Sequence, residues 1–226
     1  HSNDARGTTI LQDPVTAEAV APVDPLVDTL GSEIGARLFI TDRLNASVAV
    51  WQLDIDSELL FVGDAGNTED TGVGSERHGI EVTGYYQMTD ALAFDLEYSY
   101  TDSRFDVLQG TSDAIPGSLP HVFSGGMNLR LGDNFNAYLH ARHFADYPLD
   151  GGQTAGGSTL LNLRVGYDFT PRLSMNFDIL NLLDSGDHDV EYFYESQLAN
   201  ENAPVEDKHF HMFEPRSFRL YANYNF

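Results

Sequence analysis

Cysteine is absent from this 226-residue chain, so neither disulfides nor thiolate metal sites contribute to its structure. Basic residues are scarce: Lys and Arg number 12 against 35 Asp and Glu, which gives a net charge of −23. A chain this acidic repels the phosphates of nucleic acids, and we therefore expect no DNA or RNA partner. The 42% of hydrophobic residues nevertheless argues against disorder over the full length.

Long apolar runs are also missing. No stretch approaches the roughly 18 consecutive apolar residues that a transmembrane helix requires. The N-terminal segment HSNDARGTTI has neither the basic region nor the apolar region of a signal peptide. These absences leave a membrane barrel open, because its strands of about 10 residues carry only a weak alternating signal.

Alternation of apolar and polar residues with a period of two is the dominant pattern of the chain. In LAFDLEYSY (92–100), Leu92 and Phe94 fall on one face of an extended strand and Asp95 falls on the other. The segment LNLRVGYDF (161–169) repeats the pattern. Such alternation predicts strands with one apolar and one polar face, and no segment shows convincing helical periodicity.

These patterns predict an antiparallel up-and-down meander of about nine strands. Four connections are tight and carry turn-forming residues, and four are long and polar. Short turns at one end of a sheet and long loops at the other are the layout of an outer-membrane barrel. The predicted fold class is therefore all-β, as part of a transmembrane β-barrel. The strands are expected at 30–40, 45–58, 77–88, 92–104, 121–131, 135–146, 158–169, 173–183 and 216–226, and the long loops at 59–76, 105–120, 147–157 and 184–215.

Alternation alone does not say which face meets water. In a soluble sandwich the apolar face points inward, whereas in a membrane barrel it contacts lipid. Aromatic residues beside the tight turns and at the chain end favour an interfacial girdle over the capping of a soluble sheet. These aromatics are Tyr86, Phe94, Phe135, Phe169 and Phe226. The polar face is predicted to carry Arg37, Asp54, Asp56, Glu81, Asp95, Glu97, Arg130, His140, Arg142, Arg164, Asp178 and Arg219.

Several segments carry a more specific pattern. LGSEIGAR (30–37) and RHGIEVTGYY (77–86) contain Gly-x-Glu, ILNLLD (179–184) closes one strand, and EPRSFRLYANYNF (214–226) forms the last. Together they resemble the C-terminal part of the barrel of a TonB-dependent outer-membrane receptor. In that family the closing segment usually reads Asn-Leu-Phe-Asp, and Leu183 stands where Phe is usual.

The resemblance implies a barrel of about 22 strands around an N-terminal plug domain. The segment HSNDARG (1–7) resembles the upper end of one barrel strand. Nine further strands fill less than half of such a barrel, and the plug and the box that contacts TonB have no counterpart. Residues 1–226 are therefore expected to be the C-terminal portion of a longer receptor, because an open sheet would leave unpaired backbone groups in lipid.

The function that the resemblance implies is TonB-energised uptake of a ferric siderophore or other metal chelate across the outer membrane, with no cofactor and no enzymatic activity. The implied partners are outer-membrane lipid, the TonB system acting through the plug, and the barrel assembly machinery. A passive outer-membrane channel or adhesin barrel is one alternative, and a soluble β-sandwich binding module is another. The sequence has no G-x-S-x-G or H-E-x-x-H catalytic motif.

The longest loop, 184–215, holds the candidate ligand residues. It concentrates acidic, aromatic and histidine side chains. Aromatic rings stack on flat ligands, and imidazole with carboxylate suits Fe, Zn, Cu or Ni. A solvated loop packed on the barrel is the alternative. The candidate ligand-binding residues are Tyr192, Tyr194, Asp207, His209 and His211, and the candidate metal ligands are His188, His209 and His211.

The last strand ends the chain on an aromatic residue. In the family that the chain resembles, such a strand is the signal read by the assembly machinery. The parity of the turns predicts that the C-terminus lies on the periplasmic side. The predicted assembly signal is formed by Phe218, Leu220, Tyr224 and Phe226, which alternate onto one face.

Overall fold

The structure, a computed structural model, describes residues 26–62, 67–110 and 112–226; the segment 1–7 with its strand resemblance lies outside these ranges. Within them no helix is long and apolar enough to cross a membrane. The regular elements are β1 (Thr29–Thr41), β2 (Leu44–Ile55), β3 (Leu59–Val62), β4 (Asn67–Asp70), β5 (Ser75–Gln87), β6 (Leu92–Gln109), β7 (Ser112–Ala114), β8 (His121–Leu131), β9 (Phe135–Phe144), β10 (Tyr147–Pro148), a 3-10 turn (Asp150–Gly152), β11 (Thr154–Ala155), β12 (Ser158–Thr170), β13 (Leu173–Leu180), β14 (His188–Ser196), β15 (Val205–Met212) and β16 (Ser217–Tyr224).

Nine of these strands form one antiparallel sheet. Its order is β1-β2-β5-β6-β8-β9-β12-β13-β16, and the short β7 pairs with β6 at its edge. The predicted all-β meander of about nine strands is confirmed. Three more strand pairs, β3–β4, β10–β11 and β14–β15, are hairpins inside stretches that the sequence predicted as loops.

The tight turns of the sheet are closed by threonine hydroxyl groups. Thr41, Thr89 and Thr170 each accept a hydrogen bond from the backbone N–H two residues later, at 3.1 Å, 3.2 Å and 3.2 Å. The fourth turn uses Gly132, whose φ of 61° lies in the left-handed region that glycine enters without a steric penalty. Local side-chain and backbone chemistry thus reverses the chain at the same end of the sheet four times.

The apolar face of the sheet has no protein packed against it in the described ranges. Ile34 is 78% exposed, Leu220 is 69% exposed, and many other large apolar side chains are similarly open. A sheet facing water would bury such a surface, whereas a sheet facing lipid leaves it outward. On the opposite face, Arg164 donates two hydrogen bonds to Asp178, at 2.6 and 2.7 Å, and Asp178 is almost fully buried.

One predicted polar-face residue is on the other face. Asp54 shares the parity of Val48 and Val50, and its register partner on β5 is Glu76. Gln52 donates hydrogen bonds to both carboxylates, at 3.5 Å to Asp54 and 3.2 Å to Glu76. The prediction for Asp54 was wrong because the apolar band ends before β2 does, and beyond it the two faces exchange character, with Leu53 and Ile55 on the face opposite Asp54.

Two glycines let side chains lie across a strand. A Cβ on Gly126 would stand 2.5 Å from Asp95 Oδ1 and 2.6 Å from Tyr138 Oη. The carboxylate from β6 and the phenol from β9 therefore both extend over β8, the strand between them. A Cβ on Gly79 would likewise lie 2.8 Å from the indole of Trp51, so these two positions require glycine for close approach.

The strand β13 ends at Leu180, three residues earlier than predicted, because the chain leaves the extended conformation there. Asn181 has φ of 51° and Asp184 has φ of 55°. The Asp184 carboxylate accepts a hydrogen bond from the backbone N–H of Arg216 at 2.9 Å and pairs with its guanidinium at 3.2 Å. These interactions hold the pKa of Asp184 below its usual value and fix the start of β16 beside the end of β13.

The buried side chain of Asn181 completes this junction. Its Nδ2 donates to the carbonyl oxygens of Ser185 at 3.0 Å and Glu214 at 3.1 Å, and its Oδ1 accepts the Ser185 N–H at 2.9 Å. Asn181 is 3% exposed, so water does not replace these partners easily. One asparagine therefore satisfies backbone groups from both sides of the longest connection.

Asn181→Ala should lower the stability of the folded full-length gene product. The change leaves buried backbone groups without partners, which costs about 1–3 kcal/mol, and it places alanine in the left-handed region at a further cost of about 1–2 kcal/mol. The thermal midpoint of the compact form, measured from its altered gel migration, should fall. Asn181→Gly should avoid the cost of the left-handed backbone conformation but not the cost of the lost hydrogen bonds. Asn223→Ala, on exposed β16, is the matched control, and an equal fall in that variant would contradict the assignment.

Candidate ligand-binding surface at the long-loop end

Three hairpins gather at the end of the sheet with the long connections. They are β3–β4, β10–β11 and β14–β15, and we call them the hairpin cluster. The rings of Phe61 on β3 and Tyr192 on β14 lie 5.3 Å apart between centroids. Phe193 packs on Gly151, where a Cβ would stand 2.9 Å from the phenyl ring. The cluster encloses a cavity of about 370 Å³.

A buried carboxylate joins two of the hairpins. Glu191 on β14 is 7% exposed, and its Oε1 lies 2.8 Å from His188 Nδ1 and 3.3 Å from the backbone N of Gly156. Lys208, the only lysine of the chain, reaches the other carboxylate oxygen at 3.5 Å. The backbone N–H of Glu191 donates to the hydroxyl of Tyr147 at 2.8 Å. Glu191 is therefore the central polar group of the hairpin cluster.

Two carboxylates of this region are held in their ionised form. Burial raises the pKa of Glu191, but the hydrogen bonds from His188 and Gly156 and the charge of Lys208 outweigh it, so the pKa lies below the usual 4.5. Asp187 accepts the backbone N–H of Thr159 at 2.9 Å, and this bond is the largest reason that its pKa lies below the usual 3.8. Both groups attach the β14–β15 hairpin to the rest of the chain.

The candidate ligand-binding residues share one face of the β14–β15 hairpin. Tyr192 is opposite His209 in the register, and Tyr194 is opposite Asp207. The rings of Tyr194 and His209 stack with centroids 3.8 Å apart at an interplanar angle of 12°. His211 lies two residues beyond His209 and therefore on the same face. The structure brings all five residues together, and ligand binding by them stays a prediction.

The three candidate metal ligands are not on one face. The ring of His188 stacks on Phe210 at 3.8 Å, and Phe210 lies between His209 and His211 on β15, so it points to the opposite side. His211 Nδ1 is 2.9 Å from the carboxylate of Asp189. Across the described residues, no group of three or more His, Asp and Glu side chains is arranged to hold a metal ion. Metal binding by these histidines stays a prediction.

A second cavity, of about 420 Å³, opens on the polar face of the sheet beneath the β14–β15 hairpin. Arg142 of β9 projects into it, and the Arg142 Cζ lies 4.8 Å from the ring centre of Phe144 and 6.0 Å from that of Phe213. Asp189 and His211 form its rim. We call this space the wall cavity.

Neither Glu191 nor Lys208 is among the site residues predicted from the sequence, and Arg142 is predicted only as a charge on the polar face. One signal was present for Lys208, because a single lysine in a chain this acidic is attracted to the many carboxylates. Nothing in the sequence reveals that Glu191 is buried, because that depends on the hairpin β10–β11, which was predicted as a loop.

Attachment of the β14–β15 hairpin should weaken in acid. Because the pKa of Glu191 is depressed in the folded state, its contribution is present above about pH 4.5 and is lost as the pH falls through the depressed pKa. A spin label on Glu206→Cys, the only thiol in the chain, should become more mobile in this range. Glu191→Gln should reduce the pH dependence to the part that Asp187 contributes, whereas Glu195→Gln, on the exposed part of β14, should leave it unchanged. Identical titrations of all three proteins would contradict the role of Glu191.

The chain matches the family model for the TonB dependent receptor-like β-barrel over residues 29–182. A search of the curated proteins finds no match.

Several solved structures share the fold. The closed form of the ferric-catecholate import receptor Fiu from E. coli K12 is 22% identical, with a TM-score of 0.66, over 88% of this chain and 28% of the receptor. The ferric yersiniabactin uptake receptor FyuA from Yersinia pestis is 15% identical, with a TM-score of 0.67, over 94% and 32%. The siderophore receptor PiuA from Acinetobacter baumannii is 15% identical, with a TM-score of 0.65, over 87% and 28%.

The chain thus spans about a third or less of the length of these receptors. At these identities the likeness concerns the fold, which is the nine-stranded meander with hairpins at one end. The family match covers β1 to the end of β13. This chain belongs to the TonB-dependent receptor family and forms part of its β-barrel.

Proposed function

We propose that this chain is the C-terminal portion of an outer-membrane receptor for TonB-energised uptake of a ferric siderophore or another metal chelate. The observation that carries the proposal is the shared aromatic and histidine face of the β14–β15 hairpin, on a sheet of this receptor family. The names of the similar structures Fiu, FyuA and PiuA describe import or siderophore reception, which supports the same class of cargo.

The proposed placement follows from the two faces of the sheet. The apolar face would contact outer-membrane lipid, and the polar face would contribute to the wall of the passage. The hairpin cluster would then be extracellular, and the tight turns and the C-terminus would lie on the periplasmic side. The strands β1 and β16 each have one unpaired edge among the described strands, which supports pairing with further strands of a longer chain that also carries the plug.

The ligand would be recognised mainly by stacking. Tyr192 and Tyr194 present two phenol rings on the same face as His209 and His211. Flat aromatic or chelate-type ligands gain from contact with such rings, and the imidazoles add hydrogen bonds. The receptor does not need to coordinate the metal itself, because a chelate arrives with its coordination sphere already filled.

Uptake by the full gene product should require an energised inner membrane. Cells that express it should accumulate a radiolabelled ferric siderophore, and deletion of TonB should abolish this accumulation. A passive channel or adhesin barrel predicts uptake that is indifferent to TonB, or no uptake, and either result would contradict the proposal. Tyr192→Ala should raise the half-saturation concentration about three- to tenfold, because a stacking ring is lost. Tyr221→Ala, on the polar face of β16, is the matched control.

Assembly in the outer membrane should depend on the end of β16. Deletion of Phe226 should lower the amount of folded receptor in the outer membrane severalfold, because the terminal aromatic would no longer be available to the assembly machinery. Phe226→Tyr should restore most of it, and Asn225→Ala should have little effect. The folded fraction is read from gel migration with and without heating. Equal folded amounts for the deletion and the parent would refute the assembly role of Phe218, Leu220, Tyr224 and Phe226.

A further inference from the structure

Arg142 on β9 and Arg164 on the neighbouring strand β12 differ in the partners of their guanidinium groups. On β12, Arg164 is held by two hydrogen bonds to Asp178 and its charge is compensated. Arg142 makes no ion pair with any carboxylate in the described ranges. Its guanidinium instead lies over the ring of Phe144 at 4.8 Å and near that of Phe213 at 6.0 Å.

The two phenylalanine rings orient the guanidinium without using its hydrogen-bond donors. Cation–π contact engages the flat face of the guanidinium, whereas its five N–H groups point outward in the plane. Arg142 is half-buried and lines the wall cavity of about 420 Å³, a volume within the range of about 300–1,000 Å³ that is typical of small-molecule sites. A fixed cation with unused donors in a cavity is a site for an anion.

Asn162 on β12 supplies a further donor to the same cavity. Its Oδ1 accepts the backbone N–H of Asn181 at 3.0 Å, which fixes the orientation of the amide because a backbone N–H can only donate. The Nδ2 of Asn162 is therefore the free end of the amide, and Asn162 lines the wall cavity together with Arg142. The two side chains can donate to one pair of oxygen atoms.

The charges at the rim favour one class of anion. Asp189 is paired with His211, and Glu214 is exposed, and both line the same cavity as Arg142. Two nearby carboxylates repel a phosphate dianion more strongly than a singly charged group. A carboxylate also matches the planar fork of the guanidinium in a bidentate contact.

We infer that Arg142 and Asn162 form a carboxylate-binding subsite on the barrel wall, and that the receptor selects cargo with a free carboxylate group. The inference rests on the proposed uptake function, since it names the chemical class of the cargo. Phe144 and Phe213 are positioning residues, because they orient the guanidinium and do not contact the carboxylate themselves.

The subsite is tested with benzoate and its neutral methyl ester as probes, by calorimetry on the full-length receptor in detergent. Wild type should bind benzoate saturably and more tightly than the ester. Arg142→Gln should weaken benzoate binding about tenfold to a hundredfold, as expected for lost hydrogen bonds to a charged group, and should leave the ester unchanged. Arg142→Lys should be intermediate, because it keeps the charge and loses the fork. Phe144→Leu should weaken benzoate binding severalfold and the ester little.

Arg130→Gln is the matched control. It removes the same charge from the polar face at the tight-turn end, where no aromatic ring of the described residues lies over the guanidinium, and benzoate binding should not change. The inference is overturned if wild type does not bind benzoate saturably, if Arg142→Gln leaves benzoate affinity unchanged, if the control matches it, or if inorganic phosphate binds more tightly than benzoate. TonB-dependent siderophore uptake in the same cells reports the proposed function separately, so either one can fail alone.

Discussion

The antiparallel hydrogen-bond ladder is the constraint on which the rest of this structure depends. Buried backbone N–H and C=O groups need partners, and in lipid only neighbouring strands or a helix can supply them. The chain meets this requirement by folding back at four tight turns and four long connections, so that each strand pairs with its neighbours in order. Once the ladder is fixed, each side chain has only two directions, and the two faces acquire opposite chemistry. Every residue of β1 is exposed, as expected for a strand that is paired along one edge only among the described strands.

Much of this arrangement could be predicted from alternation, because period two is a direct consequence of strand geometry. The alternation predicted the nine sheet strands. The prediction failed where the residues of one face do not all meet the same surroundings. Asp54 lies beyond the apolar band, where the two faces of β2 exchange character. The strand β13 ends before Asn181 because the backbone of Asn181 is left-handed, and a pattern of apolar and polar residues does not indicate this conformation. The hairpins of the long connections were missed because their strands are short, and hence the burial of Glu191 between them was missed as well.

The few positive charges of the chain have distinct tasks. Arg164 neutralises a buried carboxylate within the wall, Arg216 fixes the start of the last strand, and Lys208 helps to attach a hairpin. With 12 basic residues against 35 acidic ones, most arginines would be expected to find a carboxylate. Arg142 lies over aromatic rings instead, and that choice of partner leaves its polar edge available. Its residue type could be read from the sequence, whereas its surroundings come from β9, β12 and the end of β15 together.

The close approach over Gly126 has a mechanical consequence. Backbone hydrogen bonds join each strand only to the next, so a sheet held by them alone could shear one strand at a time. Asp95 and Tyr138 both extend over β8 from opposite sides, and so they connect strands that share no backbone bonds. Sliding β8 by two residues, the smallest shift that keeps its two faces, would replace Gly126 with Ser124 or Asn128 at the point where those two groups meet. The space over Gly126 is therefore available in only one register, and this glycine helps to fix the register of β6, β8 and β9 together.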